Sequence, residues 1–527
     1  MKKAYFLLNI AITSSTISLF AQPGTLDTEF DGDGIVTTGF ETYSDNASSM
    51  TIQPDGKIIV AGSSYRGIGI GYDFALLRYN TDGSLDNSFG TDGKVLTDIN
   101  GISESATAVA IQPGGKIVMA GYSWNPGYQN DFALARYNPD GTLDNTFDSD
   151  GKLLLDFKLT SDFVFAIAIL PNGKIVLAGT IRSGTSNDSI GVMILNEDGT
   201  PDNSFGSTGK IMASFGTESS WVSDLIIQTD GKIVVAGTAG NSTIRDFAMA
   251  RFNTDGSPDN TFSSDGVLTI EIGTSYDYAN SLVIQPDGKL VVAGYALAPD
   301  NLSSDFALVR YTPDGEPDNT FGLGGKQVTE VSPGFGWAAS PVLSAEGKII
   351  VAGSTDDDEN PNSNFALVRY LPDGTPDNSF GNDGIVTTEI SPYPDFANAV
   401  SLQNDGKIVV AGSSSNGTDY DFTVVRYISD IEHVGVIDFS ISEESVLIYP
   451  NPILGEANLG YTLSQNEEVS ICLIDMQGRI LQIYLDREKQ EAGTHEQPII
   501  LPEGLLSGNY LLTISSPRGW ISIKIMK

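Results

Sequence analysis

The stretch DGKIVVAG, residues 230–237, decides how this chain is read, because it is one of seven. DGKIIVAG begins at Asp55, GGKIVMAG at Gly114, NGKIVLAG at Asn172, DGKLVVAG at Asp287, EGKIIVAG at Glu346 and a second DGKIVVAG at Asp405. The glycines before the lysines are Gly56, Gly115, Gly173, Gly231, Gly288, Gly347 and Gly406, so successive spacings are 59, 58, 58, 57, 59 and 59 residues. A fixed period of this length marks an array of like units, none of which can bury its apolar face alone.

One unit reads as four strands. In the second copy SATAVAIQP (105–113) is a run of small and β-branched residues suited to a strand buried on both faces. Gly114 and Gly115 stand where four other copies have Asp-Gly, a pair that favours a two-residue hairpin because both residues tolerate positive φ. KIVMAGYS (116–123) gives the second strand, and a variable loop leads to DFALARY (131–137) as the third. The turn NPDG and the segment LDNTF (143–147) precede a fourth strand, KLLLDF (152–157). Seven repeats of four antiparallel strands, with almost no helical periodicity, predict a seven-bladed β-propeller. The first copy of the fourth-strand pattern, GIVTTGF from Gly34, precedes the first full unit, and the last unit ends without one at DFTVVRY (421–427). The N-terminal strand is therefore expected to complete the seventh blade, leaving no free sheet edge.

The unit resembles the delta-60 repeat of bacterial surface and secreted proteins, with its DGK-[IL]-[IV]-V-A-G, D-F-A-L-x-R-Y and L-D-x-x-F-G segments, over roughly residues 25–430. The third unit departs from the pattern: DSIGVMIL (188–195) lacks both the Phe and the Arg, which excludes any role needing seven equivalent arginines. After a linker at 431–444 the period stops. YPNP (449–452), DMQGR (475–479) and LSGNYLL (506–512), in alternating strands divided by turn residues, predict a small C-terminal β-sandwich over 445–527. This set of motifs resembles the C-terminal sorting domain of the bacteroidete type IX secretion system. The resemblance implies the type IX machinery as a partner, passage across the outer membrane, and release or attachment at the surface. The N-terminus agrees with that address. Lys2 and Lys3 precede an apolar run at 4–20, and a cut after Ala21 would leave Gln22 first, the layout of a signal peptide over 1–21. The run carries five Ser or Thr and no stop-transfer pattern follows, so no membrane span is expected.

Acidic residues outnumber basic ones 67 to 29, for a net charge of -38, and such a field repels phosphate backbones and anionic lipid; no nucleic-acid partner is expected. The single cysteine, Cys472 in EVSICLID, allows no internal disulfide and reads as a small apolar side chain. Both histidines, His433 and His495, lie outside the repeats. Imidazole-assisted Ser or Cys hydrolysis and N/S zinc sites are thereby removed from the propeller, leaving only carboxylate chemistry such as glycoside hydrolysis. The repeated aspartates Asp86, Asp144, Asp202, Asp259, Asp318 and Asp377 read as turn acceptors. The repeated arginines Arg78, Arg136, Arg251, Arg310, Arg369 and Arg426 read as framework partners of those aspartates. No catalytic residue, metal site or cofactor is assigned. The cluster Asp356, Asp357, Asp358 and Glu359 reads as a solvated loop, with weak surface calcium as the alternative.

Nine residues before each DGK hairpin stand Asn46, Ser105, Phe163, Trp221, Tyr278, Trp337 and Phe396. Five of these are aromatic and are expected to ring one mouth of the central channel. The variable loops on the same face add Tyr65, Tyr72, Trp124, Tyr128 and Tyr295. Trp124, Phe163, Trp221, Tyr278, Trp337 and Phe396 are the candidate ligand-binding residues, since exposed rings on variable loops suit sugars or peptide segments. The plainer explanation is that these rings pack between blades. The expected function is that of a secreted or cell-surface binding scaffold with a glycan or surface-protein ligand. The rival readings are a carboxylate-dependent glycosidase or lyase at the channel mouth, and a purely structural surface protein.

Overall fold

The computed structural model describes residues 22–40, 43–99, 103–124, 129–157, 161–182, 184, 187–273, 275–356, 362–429, 446–449, 453, 455–463, 466–474, 480–502, 505, 509–516 and 519–527. The signal peptide expected at 1–21 and the linker expected at 431–444 lie outside them. The described residues fall into two compact units, one within 22–431 and one within 432–527.

The larger unit is seven four-stranded antiparallel sheets, and no helix occurs among its described residues. Blade four is representative: Ser219–Ile227, Ile233–Gly240, Arg245–Phe252 and Val267–Ile270 pair in that order. The second strand is IVVAGTAG, and all of it is buried, because it lies mid-blade with a neighbouring blade on each face. The seven first strands begin at Asp45, Ser103, Asp162, Ser219, Asp277, Gly336 and Asp395. Each packs against the next, and the last against the first. The strand Ile35–Thr38 pairs with Tyr420–Tyr427, with Val36 opposite Val424, so the earliest strand of the chain supplies the fourth strand of blade seven. The hydrophobic clusters straddle pairs of blades. One of them joins Val409, Ala411 and Phe422 of blade seven to Ile58, Val60 and Leu77 of blade one.

Two local devices make the repeat. The DGK hairpin is not the two-residue loop the sequence suggested. Gln53 N–H donates to the Lys57 carbonyl at 2.8 Å and Gly56 N–H to the Gln53 carbonyl at 2.8 Å, so three residues turn the chain. In the Asp-Gly copies only the glycine is left-handed, with φ +83° at Gly56. The second device is a β-bulge in every first strand, between Val222 and Asp224 in blade four and at the matching place in the other six. The bulge drives the Trp221 carbonyl towards the second strand, where a Cβ at Gly237 would stand 2.0 Å from its oxygen. The final glycine of DGKIVVAG is thus required by a close approach rather than by a turn.

Arginine holds blade to blade. Arg310 Nε donates to Asp318 Oδ2 at 2.8 Å, its Nη1 reaches the Pro372 carbonyl of the next blade, and its guanidinium lies 4.7 Å over the Phe321 ring. Five other blades repeat this clamp. At the seam Arg426 takes Asp27, from TLDTEF near the N-terminus, at 2.6 Å. In blade three Ile194 occupies the arginine position, and among the described residues Asp202 keeps Lys174, at 2.6 Å, as its one basic partner.

In the smaller unit Leu447–Tyr449, Glu456–Leu463 and Gly493–Ile500 form one sheet. Ile480–Gln490, Glu467–Ile474, Asn509–Ser516 and Gly519–Met526 form another. Leu459, Tyr461 and Ile499 of the first sheet join Ile471, Leu512 and Ile514 of the second in one apolar cluster. Cys472, half-buried between inward-facing Ile471 and Leu473, has its thiol pushed up by burial.

Arg310→Ala is expected to cost about 3–5 kcal/mol in urea unfolding, because it strands the Asp318 carboxylate beneath the surface. Lys289→Ala, which removes the more exposed partner of the same carboxylate, is expected to cost about 1 kcal/mol or less.

Candidate binding site at the channel mouth

Strand direction gathers the variable elements at one end. Every first strand starts there and every second strand ends there; Arg182 N–H donates to the Ser161 carbonyl within blade three, and Ser220 N–H of blade four to that of Asp188 on blade three. The residue extruded by each bulge is Ser48, Thr107, Phe165, Ser223, Asn280, Ala339 or Asn398, two positions beyond the aromatic site. These seven residues all line one cavity of about 720 Å³. Four of them tie the wall together. Thr107 donates to the Val164 carbonyl at 2.9 Å, Ser223 to Ala279 at 2.7 Å, Asn280 to Ala338 at 2.7 Å and Asn398 to Ala47 at 2.7 Å, each on the next blade. Phe165 interrupts this polar girdle and lies 36% exposed in the channel.

Of the residues expected at the mouth, the structure brings Phe163 and Trp221 together on the cavity, beside Tyr122 and Arg182. Phe163 meets Tyr122 of blade two edge-on at 4.9 Å and runs nearly parallel to Phe165 at 6.4 Å. Trp221 Nε1 donates to Asp188 Oδ2 at 3.2 Å, and the Arg245 guanidinium covers its ring at 4.6 Å. The other candidates stand around the ring but do not line this cavity. Tyr278 stacks on Tyr295 at 4.9 Å, Trp337 on Phe335 at 5.6 Å, and Phe396 lies 6.1 Å from Tyr420, each partner belonging to the same blade. Trp124, 39% exposed, borders a smaller recess of about 360 Å³ with Tyr72, Tyr122 and Asn130. Tyr128 lies outside the described residues. The sequence reading missed the bulge residues, Tyr122, Arg182 and Arg245. Stacking the repeats at two residues past the aromatic position would have exposed the first group, since residues two apart share a strand face.

The carboxylates at the mouth are arranged for structure. Asp45, Glu104, Asp162, Asp277 and Asp395 open first strands and are at most 1% exposed. Asp162 Oδ2 accepts the Phe157 N–H at 2.9 Å and Asp277 Oδ2 accepts that of Ile272 at 2.7 Å, so each carboxylate caps the loop that enters its strand. The ends of three strands converge there, which brings Asp131, Asp156 and Asp162 within 4.8 Å of one another, and likewise Asp73, Asp98 and Glu104. Lys152 donates to the Asp98 carbonyl and Lys210 to that of Phe157, both at 2.6 Å, which places an ammonium at the edge of each group. Of the acidic loop considered for calcium only Asp356 is described, and its Oδ1 accepts the Phe335 N–H at 2.7 Å. Between the first strands of blades four and five Asp224 accepts from Ser281 Oγ at 2.6 Å and from the Leu282 and Leu225 N–H groups; burial pushes its carboxyl up.

The fold and site define a propeller whose repeated residues form the framework and whose unrepeated ones meet at one mouth. Residues 53–89, 112–147, 170–205, 228–262, 285–321, 345–380 and 403–430 match the family described as "Domain of unknown function (DUF5122) beta-propeller". Residues 447–527 match the "Secretion system C-terminal sorting domain". The chain is thus built of DUF5122 β-propeller repeats followed by a type IX sorting domain, which marks it for the cell surface or the extracellular space. No curated protein matches it. Its fold is similar to virginiamycin B lyase from Staphylococcus aureus, at 12% identity over 74% of this chain and 98% of that one, TM-score 0.38. It is similar to the polysaccharide lyase Uly1, at 11% over 78% and 97%, TM-score 0.42. It is also similar to an α-L-arabinanase from Penicillium chrysogenum, at 13% over 79% and 100%, TM-score 0.38. Among the described residues no helix is long and apolar enough to cross a membrane.

The pH profile of stability follows from two opposed sets of carboxylates. Burial pushes up Asp45, Asp246, Asp277, Asp305 and Asp421, helped at Asp246 by Asp277 and Glu271. At Asp86 burial alone would act the same way, but Lys57, Ser88 and Arg78 outweigh it and hold the carboxyl far below the ordinary value of 3.8; Asp377 is brought down to about 2. Raised groups take up protons in the folded state first, so stability increases as pH falls from neutral towards 3.8. Stability from the lowered groups is then lost as pH falls from 3.8 through their folded values. Thermal melts across pH should therefore give a maximum on the acid side of neutrality; a maximum at or above pH 7 would contradict this balance.

Proposed function

We propose that the protein is a secreted or cell-surface binding scaffold whose channel mouth takes a glycan. The observation that carries this reading is the cavity bordered by Phe163, Phe165, Trp221 and Tyr122 on a floor of Ser, Thr and Asn side chains. Flat rings accept the C–H face of a sugar, and hydroxyl and amide groups answer its hydroxyls. Those groups stand on a ring that arginine clamps hold in six of its seven blades, so ligand and loops can vary while the wall stays fixed. No Asp or Glu is among the residues lining the cavity, which favours binding over hydrolysis by a carboxylate pair. A surface protein remains the second class of partner, through the loops that carry Tyr65, Tyr72 and Trp124, where Trp124 is 39% exposed.

On a glycan array the full chain should give signals that fall about tenfold or more in the Phe163→Ala, Trp221→Ala double variant, for the loss of two stacking faces. An equal and blank response from both proteins would remove the glycan reading. Export is read separately: a chain lacking residues 447–527 should accumulate inside the outer membrane, and normal surface delivery of that truncation would refute the role given to the tail.

A further inference from the structure

Seven of the nine arginines of the propeller pair with an aspartate: six in the clamps, and Arg66 with Asp73 at 3.5 Å. Arg182 and Arg245 do not. Among the described residues neither has a carboxylate oxygen within 4.0 Å. Each lies against rings instead. The Arg182 guanidinium is 5.1 Å from the centre of Phe163, and that of Arg245 is 4.6 Å from Trp221 and 5.2 Å from Tyr278. Arg245 Nη1 donates to the Tyr278 hydroxyl at 2.5 Å, while its Nε is buried without an acceptor.

Neither arginine belongs to the repeat. At the Arg182 position the other blades carry Tyr, Trp, Gly, Leu, Asp and Ser, and at the Arg245 position Tyr, Asn, Asp, Ser, Ser and Tyr. The junction of blades three and four, where both stand, also loses the acids found at its neighbours. Ser189, Ser214 and Ser220 take the places of Asp131, Asp156 and Asp162, and Ser220 Oγ accepts the Phe215 N–H at 2.9 Å as the carboxylate does elsewhere. Asp188, bound to Trp221 Nε1, and Asp224, bound to Ser281 Oγ, are acids that remain in these blades. In a chain of net charge -38 this junction has exchanged its acids for hydroxyls and gained two guanidinium groups without counter-ions.

We infer that the mouth at blades three and four is a subsite for the acid group of an acidic saccharide, a carboxylate or sulfate ester borne on a sugar ring. This rests on the glycan reading above and sharpens it. A guanidinium presents a fork of N–H donors that fits a carboxylate or sulfate edge, and an aromatic face beneath holds that fork in place. Six of the thirteen residues lining the cavity are Ser, Thr or Asn, which suits a polyhydroxylated ligand better than the apolar side chains of an acidic peptide. The wider negative charge acts weakly on a bound ligand, because at physiological salt charges beyond about 8 Å are largely screened.

The test is calorimetric titration of the full chain with three short oligosaccharides: a uronate, a sulfated one and a neutral one of similar length. Wild type is expected to favour one or both acidic sugars over the neutral one by about tenfold or more, in line with charge-assisted hydrogen bonds. Which acidic arm binds distinguishes carboxylate from sulfate. Arg182→Gln, at an exposed side chain, should abolish most of that preference, read as the ratio of acidic-sugar to neutral-sugar affinity. The pair Arg182→Gln, Arg245→Gln should abolish the rest. If wild type binds the neutral sugar as tightly as the acidic ones, and Arg182→Gln changes nothing, the acidic subsite is overturned while the glycan reading stands. If wild type binds none of the three, both fail. An acidic peptide competing better than any sugar would also overturn the saccharide assignment.

Discussion

One guanidinium in each of six blades carries the larger unit. In blade five Arg310 neutralises a carboxylate on its own turn, caps a carbonyl of the following blade and lies on a phenylalanine that packs between the two. Each contact alone is modest, and an isolated surface pair of this kind contributes little. Buried together they are mutually dependent: the charge is tolerable only because Asp318 is there, and Asp318 is usable only because Lys289 and Thr320 complete its bonds. The same node at the seam is made by Asp27 and Arg426, almost the full length of the unit apart in sequence. Closure is therefore enforced by the same chemistry that joins any two neighbours, with the leading strand added as the fourth strand of blade seven. Blade three shows what the node can lose. Ile194 packs into the apolar cluster shared by blades three and four, so burial of a branched side chain replaces the ion pair and no charge is stranded.

A framework repeated so strictly restricts where the blades can differ. Position 237 and its equivalents must be glycine, because the bulge opposite leaves no room for a Cβ. The bulge frees one residue per blade to face the channel, and that residue has no ladder partner to satisfy. Thr107, Ser223, Asn280 and Asn398 use the freedom to bond the next blade; Phe165 and Ala339 do not, and the cavity opens past them. The device that fixes the repeat thus also supplies its variable channel lining.

The parts legible in the sequence were those that repetition amplifies. Seven copies of DGK-x-x-x-A-G revealed the blades, the displaced GIVTTGF revealed the strand that enters blade seven, and Arg and Asp eight residues apart revealed the clamps. Asp27 escaped because TLDTEF lies before the first whole unit, though it is the same turn as SLDNSF. The hairpin was misread because Asp-Gly fits either loop length, and the choice rests on whether Gln53 and Lys57 pair, which no local propensity encodes. At the mouth, the aromatic position was visible as a column, but its exposure was not. Whether a ring faces the cavity or its own blade depends on one partner, Tyr295 for Tyr278 and Phe335 for Trp337, set by loops of unequal length. Arg182 and Arg245 each occur once and were invisible to any method that counts copies.

Several departures from the repeat fall together. Ile194 for arginine, Phe165 as the one aromatic bulge residue, Ser220 for an acid, Asp224 for a small residue, and the two arginines without a carboxylate partner all fall in blades three and four. Each change here also keeps its neighbours satisfied: Lys174 still holds Asp202, Ser220 still caps the Phe215 N–H, and Asp224 is filled by Ser281 and two backbone N–H groups. Stability therefore does not explain the grouping, because the standard residues would satisfy the same bonds. Two of them, Phe165 and Arg182, line the cavity, and Arg245 lies over Trp221, which lines it too. A ring of equal blades needs no such sector; a ligand that arrives from one side does.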